Sequence, residues 1–399
     1  MKKSENKWLS IGFGFITGIL LVLTSCKSSN VSNLQSEVDL IAARFVPDHR
    51  VGICNVKLLP GNNGSIIISG ETTNPVAKNE IIKALNKHGK GLVDSIVLLP
   101  DTIKSSKYMG LVTLSVINLR KQPLHASELV SQAILGTPVM ILKRNDSWLL
   151  IKTPDNYIAW TEESSVKQMD GSEMAVWKKT ARVIYRENTG WLYDAPSDKS
   201  GVVGDLVGGS IIEKTGESSE YMKIALPDGR QGFVEKQKVM DFAEWKKSIF
   251  CDEESICNVS KTFLGLPYLW GGTSAKGVDC SGFVQSVFFR NGLILQRDAS
   301  LQALHGLTID LNGGFSLLKK GDLLFFGSKK NGTPHVTHVA IYTGGKEYIN
   351  SSGRVMLNSL DSTQENYSSF KFNSLLLAKR IVGVNGDPGI IPVNIHPWY

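Results

Sequence analysis

The sequence predicts a multidomain protein with a small N-terminal α+β unit, two small β-barrels and a C-terminal α+β domain. The chain has 399 residues, which is more than one hydrophobic core ordinarily accommodates. A pattern of short strand-like runs repeats itself with an offset of 72 or 73 residues. After residue 242 a helix-rich half precedes a series of apolar strands, which is typical of an α+β domain.

The composition is that of a folded, soluble chain. Hydrophobic residues make up 42% and charged residues 20%, which excludes a disordered protein and one that spans a membrane throughout. The formal net charge is +7, but lysines and arginines are interspersed with acidic residues and never form a run of five. Nucleic acid is therefore not an expected partner.

The N-terminus has the form of an export signal. Three lysines precede the apolar stretch "WLSIGFGFITGILLVLTSC", which ends at Cys26. The step from Leu23 to Cys26 resembles the bacterial lipobox, which implies cleavage before Cys26 and diacylation of its sulfur. An uncleaved membrane anchor is the alternative, because about 17 apolar residues can just span a bilayer. We expect a signal peptide over 1–26, a polar tether over 27–37 and an exported, membrane-anchored lipoprotein in the periplasm.

Export allows the remaining cysteines to form disulfides. Cys251 and Cys257 are six residues apart, so a helix would not place them on one face, and a disulfide between them stays open. The sequence contains no C-x-x-C, H-x-x-x-H or H-E-x-x-H motif. We therefore expect neither a metal ion nor another cofactor.

The segment over 38–105 favours a small α+β domain. Two β-branched runs, "SIIISG" and "SIVLLP", flank a helix that Asn74 caps and that has Pro75 in its first turn. No pattern in this segment indicates a chemical function.

An internal repeat follows, in which 118–166 can be set over 190–239. About sixty residues of short strands separated by turns predict a small β-barrel, so we expect two barrels, over 106–170 and 171–241. The order of strands and turns resembles bacterial SH3-like domains. The matched pairs are Leu119 with Leu192, Pro123 with Pro196, Gly136 with Gly208, Val139 with Ile211, Trp148 with Tyr221, Pro154 with Pro227, Asp155 with Asp228, Trp160 with Phe233 and Val166 with Val239.

The stretch "GVDCSGFVQSVFFRNG" places a cysteine at the start of a helix. Asp279 or a neighbour can cap this helix, and the apolar residues from Phe283 to Phe288 give it a face to bury. The helix dipole favours a thiolate. With an imidazolium nearby, we expect the pKa of Cys280 to lie well below that of a free cysteine.

A nucleophilic cysteine needs a base and a group that orients the base. His338 opens the apolar strand "HVAIYTGG" directly after a loop, from which an imidazole can face a cleft. Asn350 follows twelve residues later on the next strand, across a turn at Gly344 and Gly345, so the two can be antiparallel neighbours. Cysteine, base and orienting residue thus come in papain-like order.

Five segments of the C-terminal part resemble a known family of enzymes. In order and spacing, "YLWGGTSAKGVDCSGFVQ", "RDASLQ", "GDLLFFG", "THVAIYTGG" and "YINSSG" resemble the NlpC family of papain-like cysteine peptidases of bacterial cell walls. The resemblance implies a peptidase domain over 242–399, with Cys280 as nucleophile and His338 as base. The third position of this family is most often histidine. Asn350 stands there and can still accept from the imidazole, with less electrostatic support than a charged group gives.

The arrangement of two SH3-like domains ahead of the peptidase resembles one subgroup, dipeptidyl-peptidase VI or gamma-D-glutamyl-L-diamino acid endopeptidase. This resemblance implies a substrate class, namely murein peptides with a free N-terminal L-Ala. The bond that is cut would join the γ-carbonyl of D-glutamate to a diamino acid.

The same resemblance implies a substrate pocket built by two domains. Asp298 matches the position that binds the substrate amine, and its alternatives are pairing with Arg297 or capping a helix. Glu128 of the first barrel is the candidate for a second acidic wall, and its alternative is a solvated charge. The other candidate pocket residues are Ser281, Tyr268, Tyr157 and Trp160, of which the last two have the barrel core as their alternative.

Two other functions stay open. The chain could be a catalytically inactive lipoprotein that binds peptidoglycan, or a papain-like amidase or acyltransferase that acts on another bond. The complete set of Cys280, His338 and Asn350 argues against an inactive protein.

Overall fold

The computed structural model describes residues 17–89, 91–102, 105–248 and 251–399, with side chains from residue 31 onward. The chain divides into two compact units, Met1–Leu99 and Pro100–Tyr399. Residues 1–16 of the predicted signal peptide and the side chain of Cys26 fall outside what is described. Within the described ranges, none of the helices combines the length and apolar character that crossing a bilayer requires.

The first unit is a three-stranded sheet with two helices. Strand β2 pairs antiparallel with β1 and parallel with β3, and helix α2 forms the crossover between β2 and β3. Asn74 caps α2, because its side chain accepts from the N–H groups of Val76 and Ala77. The elements are α1 (Thr17–Phe45), β1 (Cys54–Pro60), β2 (Ile66–Thr72), α2 (Pro75–Asn86) and β3 (Leu92–Leu98).

The predicted tether over 27–37 is wrong, because this segment lies within helix α1. Leu34 and Val38 stand one turn apart on α1 and are buried in the core of the first unit with Ile68 and Ile81. Their spacing is that of an amphipathic helix, but polar neighbours on both sides hide it in the sequence.

Two seven-stranded sheets follow, and each wraps around its own apolar core. The strand orders, β10-β4-β7-β8-β9-β5-β6 and β17-β11-β14-β15-β16-β12-β13, are the same, so the internal repeat is present in the fold. The first sheet contains β4 (Met109–Val112), β5 (Val116–Arg120), β6 (Leu129–Ile134), β7 (Pro138–Asn145), β8 (Trp148–Lys152), β9 (Ile158–Glu162) and β10 (Val166–Met169). After α3 (Gly171–Trp177) come β11 (Arg182–Tyr185), β12 (Thr189–Tyr193), β13 (Val202–Val207), β14 (Ile211–Ser218), β15 (Tyr221–Ala225), β16 (Gln231–Glu235) and β17 (Val239–Asp241).

The pairing of Gly136 with Gly208 is wrong by one residue. The Gly136 N–H donates to the carbonyl of Val112, and in the second barrel it is Gly209 that donates to the matching Tyr185. Gly136 and Gly209 both have positive φ, +77° and +96°. The offset of 73 therefore holds at this turn, and the adjacent Gly208 is a decoy in the sequence. The pairing of Val139 with Ile211 carries the same slip.

The two barrels share a boundary at the turn before β7. Leu135 belongs to the first barrel in sequence, but its side chain is buried in the core of the second, and its carbonyl accepts from the Ile211 N–H at 3.1 Å. A Cβ atom on Gly136 would overlap the carbonyl oxygen of Ile211. Glycine is therefore required here both for its positive φ and for the close approach of the two backbones.

The C-terminal part is a six-stranded antiparallel sheet, of order β21-β26-β22-β23-β24-β25, with helix α6 packed against β23. Phe283 and Val287 of α6 bury against Val339 and Ile341. The elements are α4 (Phe242–Ser248), α5 (Glu253–Lys261), β18 (Thr273–Ser274), β19 (Gly277–Val278), α6 (Cys280–Arg290), β20 (Leu293–Leu295), α7 (Ala299–Gln302), β21 (Leu307–Ile309), β22 (Leu323–Lys330), β23 (Thr333–Gly344), β24 (Glu347–Ser352), β25 (Arg354–Ser359), α8 (Ser369–Asn373), β26 (Leu375–Arg380) and β27 (Ile390–Pro392).

Replacing Gly136 by alanine is expected to lower the free energy of unfolding of the second unit by about 2 to 4 kcal/mol. The matched control is Gly229→Ala, because Gly229 also has positive φ, +95°, but a Cβ there meets no atom within 4 Å. In the control, the free energy of unfolding should fall by only about 1 kcal/mol, because alanine at this φ adds backbone strain alone. Urea unfolding measures both, and equal losses would show that the contact between the barrels carries no weight.

Candidate active site

Cys280 is the first residue of helix α6, and Asp279 caps that helix. The Gly282 N–H donates to Asp279 Oδ1 at 2.7 Å. A Cβ atom on Gly282 would overlap the carbonyl oxygen of Gly272, so the first turn of α6 packs directly on that backbone. Cys280 is 8% exposed and is a free thiol, as are Cys54, Cys251 and Cys257.

A buried ion pair holds the cap in place. Arg297 Nη2 lies 2.6 Å from Asp279 Oδ2, and Nη1 donates to Oδ1 at 3.1 Å. Arg297 is 1% exposed, and its Nε also donates to Ser131 Oγ of the first barrel at 3.0 Å. Burial disfavours the charge of Arg297, but the Asp279 carboxylate outweighs burial and raises the pKa of Arg297 above its usual range.

His338 lies on β23 beside the start of α6. The N–H of Val339, the next residue, bonds to the Cys280 sulfur. The His338 Nε2 lies 2.9 Å from Asn350 Oδ1 on β24. An amide oxygen can only accept, so Nε2 carries the proton and Nδ1 keeps a lone pair. His338 is thereby held as the tautomer that can take a proton at Nδ1.

A chain of amides fixes the direction of that hydrogen bond. Asn350 Nδ2 donates to Asn358 Oδ1 at 2.8 Å, and Asn358 Nδ2 donates to the backbone carbonyl of Asn366 at 2.9 Å. The carbonyl of Asn366 has no proton to give, so each amide must present its oxygen toward His338. Asn350 is fully buried and Asn358 is 9% exposed, which shields the chain from water.

The pKa values of the two reactive groups lie far apart. Burial, and then the charge of Asp279, raises the pKa of Cys280 to about 11, although the Val339 N–H acts in the opposite direction. Burial, and then the charge of Lys371, lowers the pKa of His338 to about 4. The expectation of a lowered thiol pKa is wrong, because loss of water outweighs the favourable end of the helix. At neutral pH the thiol and the imidazole are both uncharged.

Tyr268 lies close enough to the thiol to respond to its charge. Burial, followed by the charges of Cys280 and Asp279, raises the pKa of Tyr268 to about 12. Its phenol is therefore protonated at neutral pH and is a hydrogen-bond donor next to the nucleophile.

Two segments of the chain match known protein families. Residues 265–374, which contain Cys280, His338 and Asn350, match the model of the NlpC/P60 family. Residues 265–374 therefore form an NlpC/P60 domain. Residues 119–166 match the model of the bacterial dipeptidyl-peptidase SH3 domain. The predicted family is confirmed, and so is the predicted class of enzyme, a cysteine peptidase.

Two curated relatives and one solved structure extend the similarity beyond the NlpC/P60 domain. The gamma-D-glutamyl-L-lysine dipeptidyl-peptidase of Bacillus cereus is 29% identical over 57% of this chain and 68% of its own length. Dipeptidyl-peptidase 6 of Lysinibacillus sphaericus is 28% identical over 65% of this chain and 94% of its own. The crystal structure of an NlpC/P60 family protein from Bacillus cereus superposes with a TM-score of 0.59 at 23% identity, over 69% of this chain and 99% of that one. The last likeness concerns the fold, and the predicted multidomain fold class is confirmed.

Three of the predicted pocket residues, Ser281, Glu128 and Asp298, lie in the NlpC/P60 domain or face it. Ser281 is buried, and its hydroxyl accepts from Arg297 Nη1 at 3.0 Å. Glu128 of the first barrel accepts from Trp270 Nε1 at 3.1 Å, so this carboxylate faces the segment that precedes the nucleophile. Asp298 occupies the N-cap position of α7, but its side chain forms no capping hydrogen bond.

The two aromatic candidates of the first barrel, Tyr157 and Trp160, have different surroundings. Tyr157 is 5% exposed and packs in the core of the first barrel, near enough to Arg297 to affect its pKa. Trp160 lies on β9 with Lys143 Nζ 5.8 Å from its ring centroid, and none of its described contacts is to the NlpC/P60 domain.

The sequence did not lead us to Asn358, or to the role of Arg297 in holding the Asp279 cap. A signal for Asn358 exists, because a hairpin turn at "SSGR" places it opposite Tyr348, diagonal to Asn350 on the same face of the sheet. The signal for Arg297 is absent, since its partners Asp279 and Ser131 are distant in sequence.

Replacing Asn358 by alanine is expected to lower kcat about 10- to 100-fold with little change in KM. Asn350 could then turn its amide over, and the wrong imidazole tautomer costs a Ser-His-Asp triad ~10⁴-fold in kcat. Asn358→Asp keeps an acceptor for Asn350 but loses the donor to the Asn366 carbonyl, so it should lower kcat less than the alanine does. Nitrogen NMR shifts of labelled His338 report the tautomer directly.

A surface asparagine serves as the control for this prediction. Asn312→Ala, on an exposed loop of the same domain, should change neither kcat nor the NMR shifts. If Asn358→Ala lowers stability but leaves the His338 tautomer and kcat unchanged, the amide chain has no orienting role.

Proposed function

We propose that this protein is a cell-wall hydrolase that cleaves the bond between D-glutamate and a diamino acid in murein peptides with a free N-terminal L-Ala. The observation that carries the proposal is the hydrogen bond of 2.9 Å between His338 and Asn350, next to a cysteine at a helix N-terminus. The names of the two relatives support the substrate class.

The chemistry is acyl transfer from the γ-carbonyl of D-glutamate to Cys280. Because thiol and imidazole are both neutral, the sulfur attacks as His338 Nδ1 takes its proton. The imidazolium that forms donates to Asn350 Oδ1 and then protonates the leaving amine. Water hydrolyses the thioester with His338 as base.

Two donors are available for the oxyanion of the intermediate. The N–H of Cys280 is at the first turn of α6, where backbone N–H groups lack partners within the helix. The phenol of Tyr268 is protonated and lies near the sulfur. Two donors in a site with little water give stronger stabilisation than either would in bulk solvent.

Selection for a free L-Ala follows from the acidic groups on the first-barrel side of the site. Glu128 is fixed by Trp270, and Asp298 lies at the start of α7, so either carboxylate could receive the substrate ammonium. A muramyl group on the same nitrogen would remove its charge and add bulk.

Purified enzyme is expected to release L-Ala-γ-D-Glu from the tripeptide L-Ala-γ-D-Glu-L-Lys, as followed by mass spectrometry. Cys280→Ala should abolish release because the nucleophile is lost. Cys257→Ala is the matched control, since Cys257 is a buried free thiol of the same domain, outside the site, and should leave release unchanged. Asp298→Asn should raise KM for the tripeptide about tenfold.

A muramyl-blocked tripeptide distinguishes the alternatives. Equal cleavage of blocked and free substrates would refute the requirement for a free amine. Cleavage at another bond would instead favour an amidase or an acyltransferase.

We also propose that the protein is exported and attached to a membrane by a lipid on Cys26, for which the N-terminal motif is the support. Cys26→Ser should move the protein from the membrane to the soluble fraction and abolish labelling by a fatty-acid analogue. Cys54→Ser, which alters another free thiol, should change neither. Retention of Cys26→Ser protein in the membrane would favour an uncleaved anchor.

A further inference from the structure

Lys371 brings a positive charge to the catalytic pair from a side that the sequence patterns do not indicate. It lies on α8, a helix of five residues that Ser368 caps. The Lys371 Nζ lies 5.9 Å from the ring centroid of Phe326, and that ring lies 5.7 Å from the imidazole of His338. Phe326 is 1% exposed, so the lysine stem extends along an apolar wall toward the base.

Among the described residues, no carboxylate balances this ammonium. Burial lowers the pKa of Lys371, and the Cys280 sulfur opposes this shift only in its thiolate form. No aspartate or glutamate in the described part of the chain forms an ion pair with Lys371. By contrast, Lys320 is paired with Glu254 at 2.7 Å and Lys346 with Asp361 at 3.2 Å. A half-buried cation without a counter-ion, next to the reacting atoms, favours an anionic ligand.

The position of Lys371 indicates which part of a substrate that anion belongs to. The first barrel approaches Cys280 through Arg297 and through the Glu128–Trp270 contact, whereas Lys371 approaches it through Phe326 of the sheet. If the N-terminal part of the substrate lies against the barrel, as the proposed function requires, the leaving diamino acid extends toward Lys371.

We propose that Lys371 forms a carboxylate subsite on the leaving-group side of Cys280, which receives the α-carboxylate of the diamino acid. The subsite rests on the proposed function for the identity of its ligand, but the anion preference itself does not. It makes Lys371 a specificity-determining residue, because peptides that end at the diamino acid offer that carboxylate and amidated peptides do not.

Alkylation of Cys280 tests the anion subsite without any peptide. Iodoacetate and iodoacetamide both form a carbon–sulfur bond and expel iodide, and they differ by one negative charge. We expect Lys371→Met to lower the ratio of the iodoacetate rate to the iodoacetamide rate about tenfold. Lys371→Arg should retain the ratio, and Lys320→Met, a paired surface lysine, should leave it unchanged.

The alternative outcome is equally clear. If Lys371→Met slows both reagents by the same factor, the lysine acts on the thiol itself and the subsite is refuted. Circular dichroism of each variant separates this result from unfolding.

Cleavage of the tripeptide L-Ala-γ-D-Glu-L-Lys with a free or an amidated C-terminus tests the ligand. The wild-type enzyme should prefer the free carboxylate about tenfold in kcat/KM, and in Lys371→Met the ratio of the two kcat/KM values should fall to about one. Equal cleavage of both peptides by the wild type would refute the assignment to the diamino acid. If neither peptide is cleaved while the alkylation ratio still depends on Lys371, the proposed function fails and the anion subsite stands.

Discussion

The buried pair of Asp279 and Arg297 is the interaction on which the site depends. The Asp279 carboxylate accepts from the N–H groups of Gly271 and Gly282 as well as from both terminal nitrogens of Arg297. One carboxylate therefore holds together the loop before α6, the start of α6 and the segment between β20 and α7. Loss of either partner would leave an uncompensated buried charge, which typically costs about 3–5 kcal/mol. Arg297 also donates to Ser131, so the same pair seats the first barrel against the NlpC/P60 domain.

The Asp279–Arg297 pair fixes the position of the Cys280 sulfur but does not stabilise its thiolate form. Asp279 raises the pKa of Cys280, so the residue that fixes the sulfur also disfavours its anion. The Val339 N–H acts in the other direction but does not overcome burial. Proton transfer must therefore accompany attack, which explains why the tautomer of His338 matters and why a chain of buried amides maintains it. An uncharged pair costs less to bury than an ion pair in the same place.

The arrangement of Cys280, His338 and Asn350 could be predicted from the sequence because its signals are local. Cys280 follows a capping aspartate at the start of an apolar helix, and His338 and Asn350 lie on adjacent strands across one glycine turn. Arg297 and Lys371 could not be read in this way, since each acts on groups that only the tertiary fold brings near. The alignment of the repeat was wrong where two adjacent glycines, Gly208 and Gly209, both fit the pattern. The helix α1 was not predicted because polar residues interrupt its apolar face. The direction of the Cys280 pKa was missed because a helix terminus is visible in a sequence and the loss of solvent is not.

The burial of Leu135 in the second barrel makes the two copies of the tandem repeat structurally dependent on each other. Repeated modules are often exchanged, lost or duplicated one at a time. Here the second copy completes its interior with a side chain that the first copy supplies, so a foreign copy spliced in at the junction would inherit either a void or a clash. The second barrel is therefore not a self-contained module, and the two copies depend on each other for a complete interior.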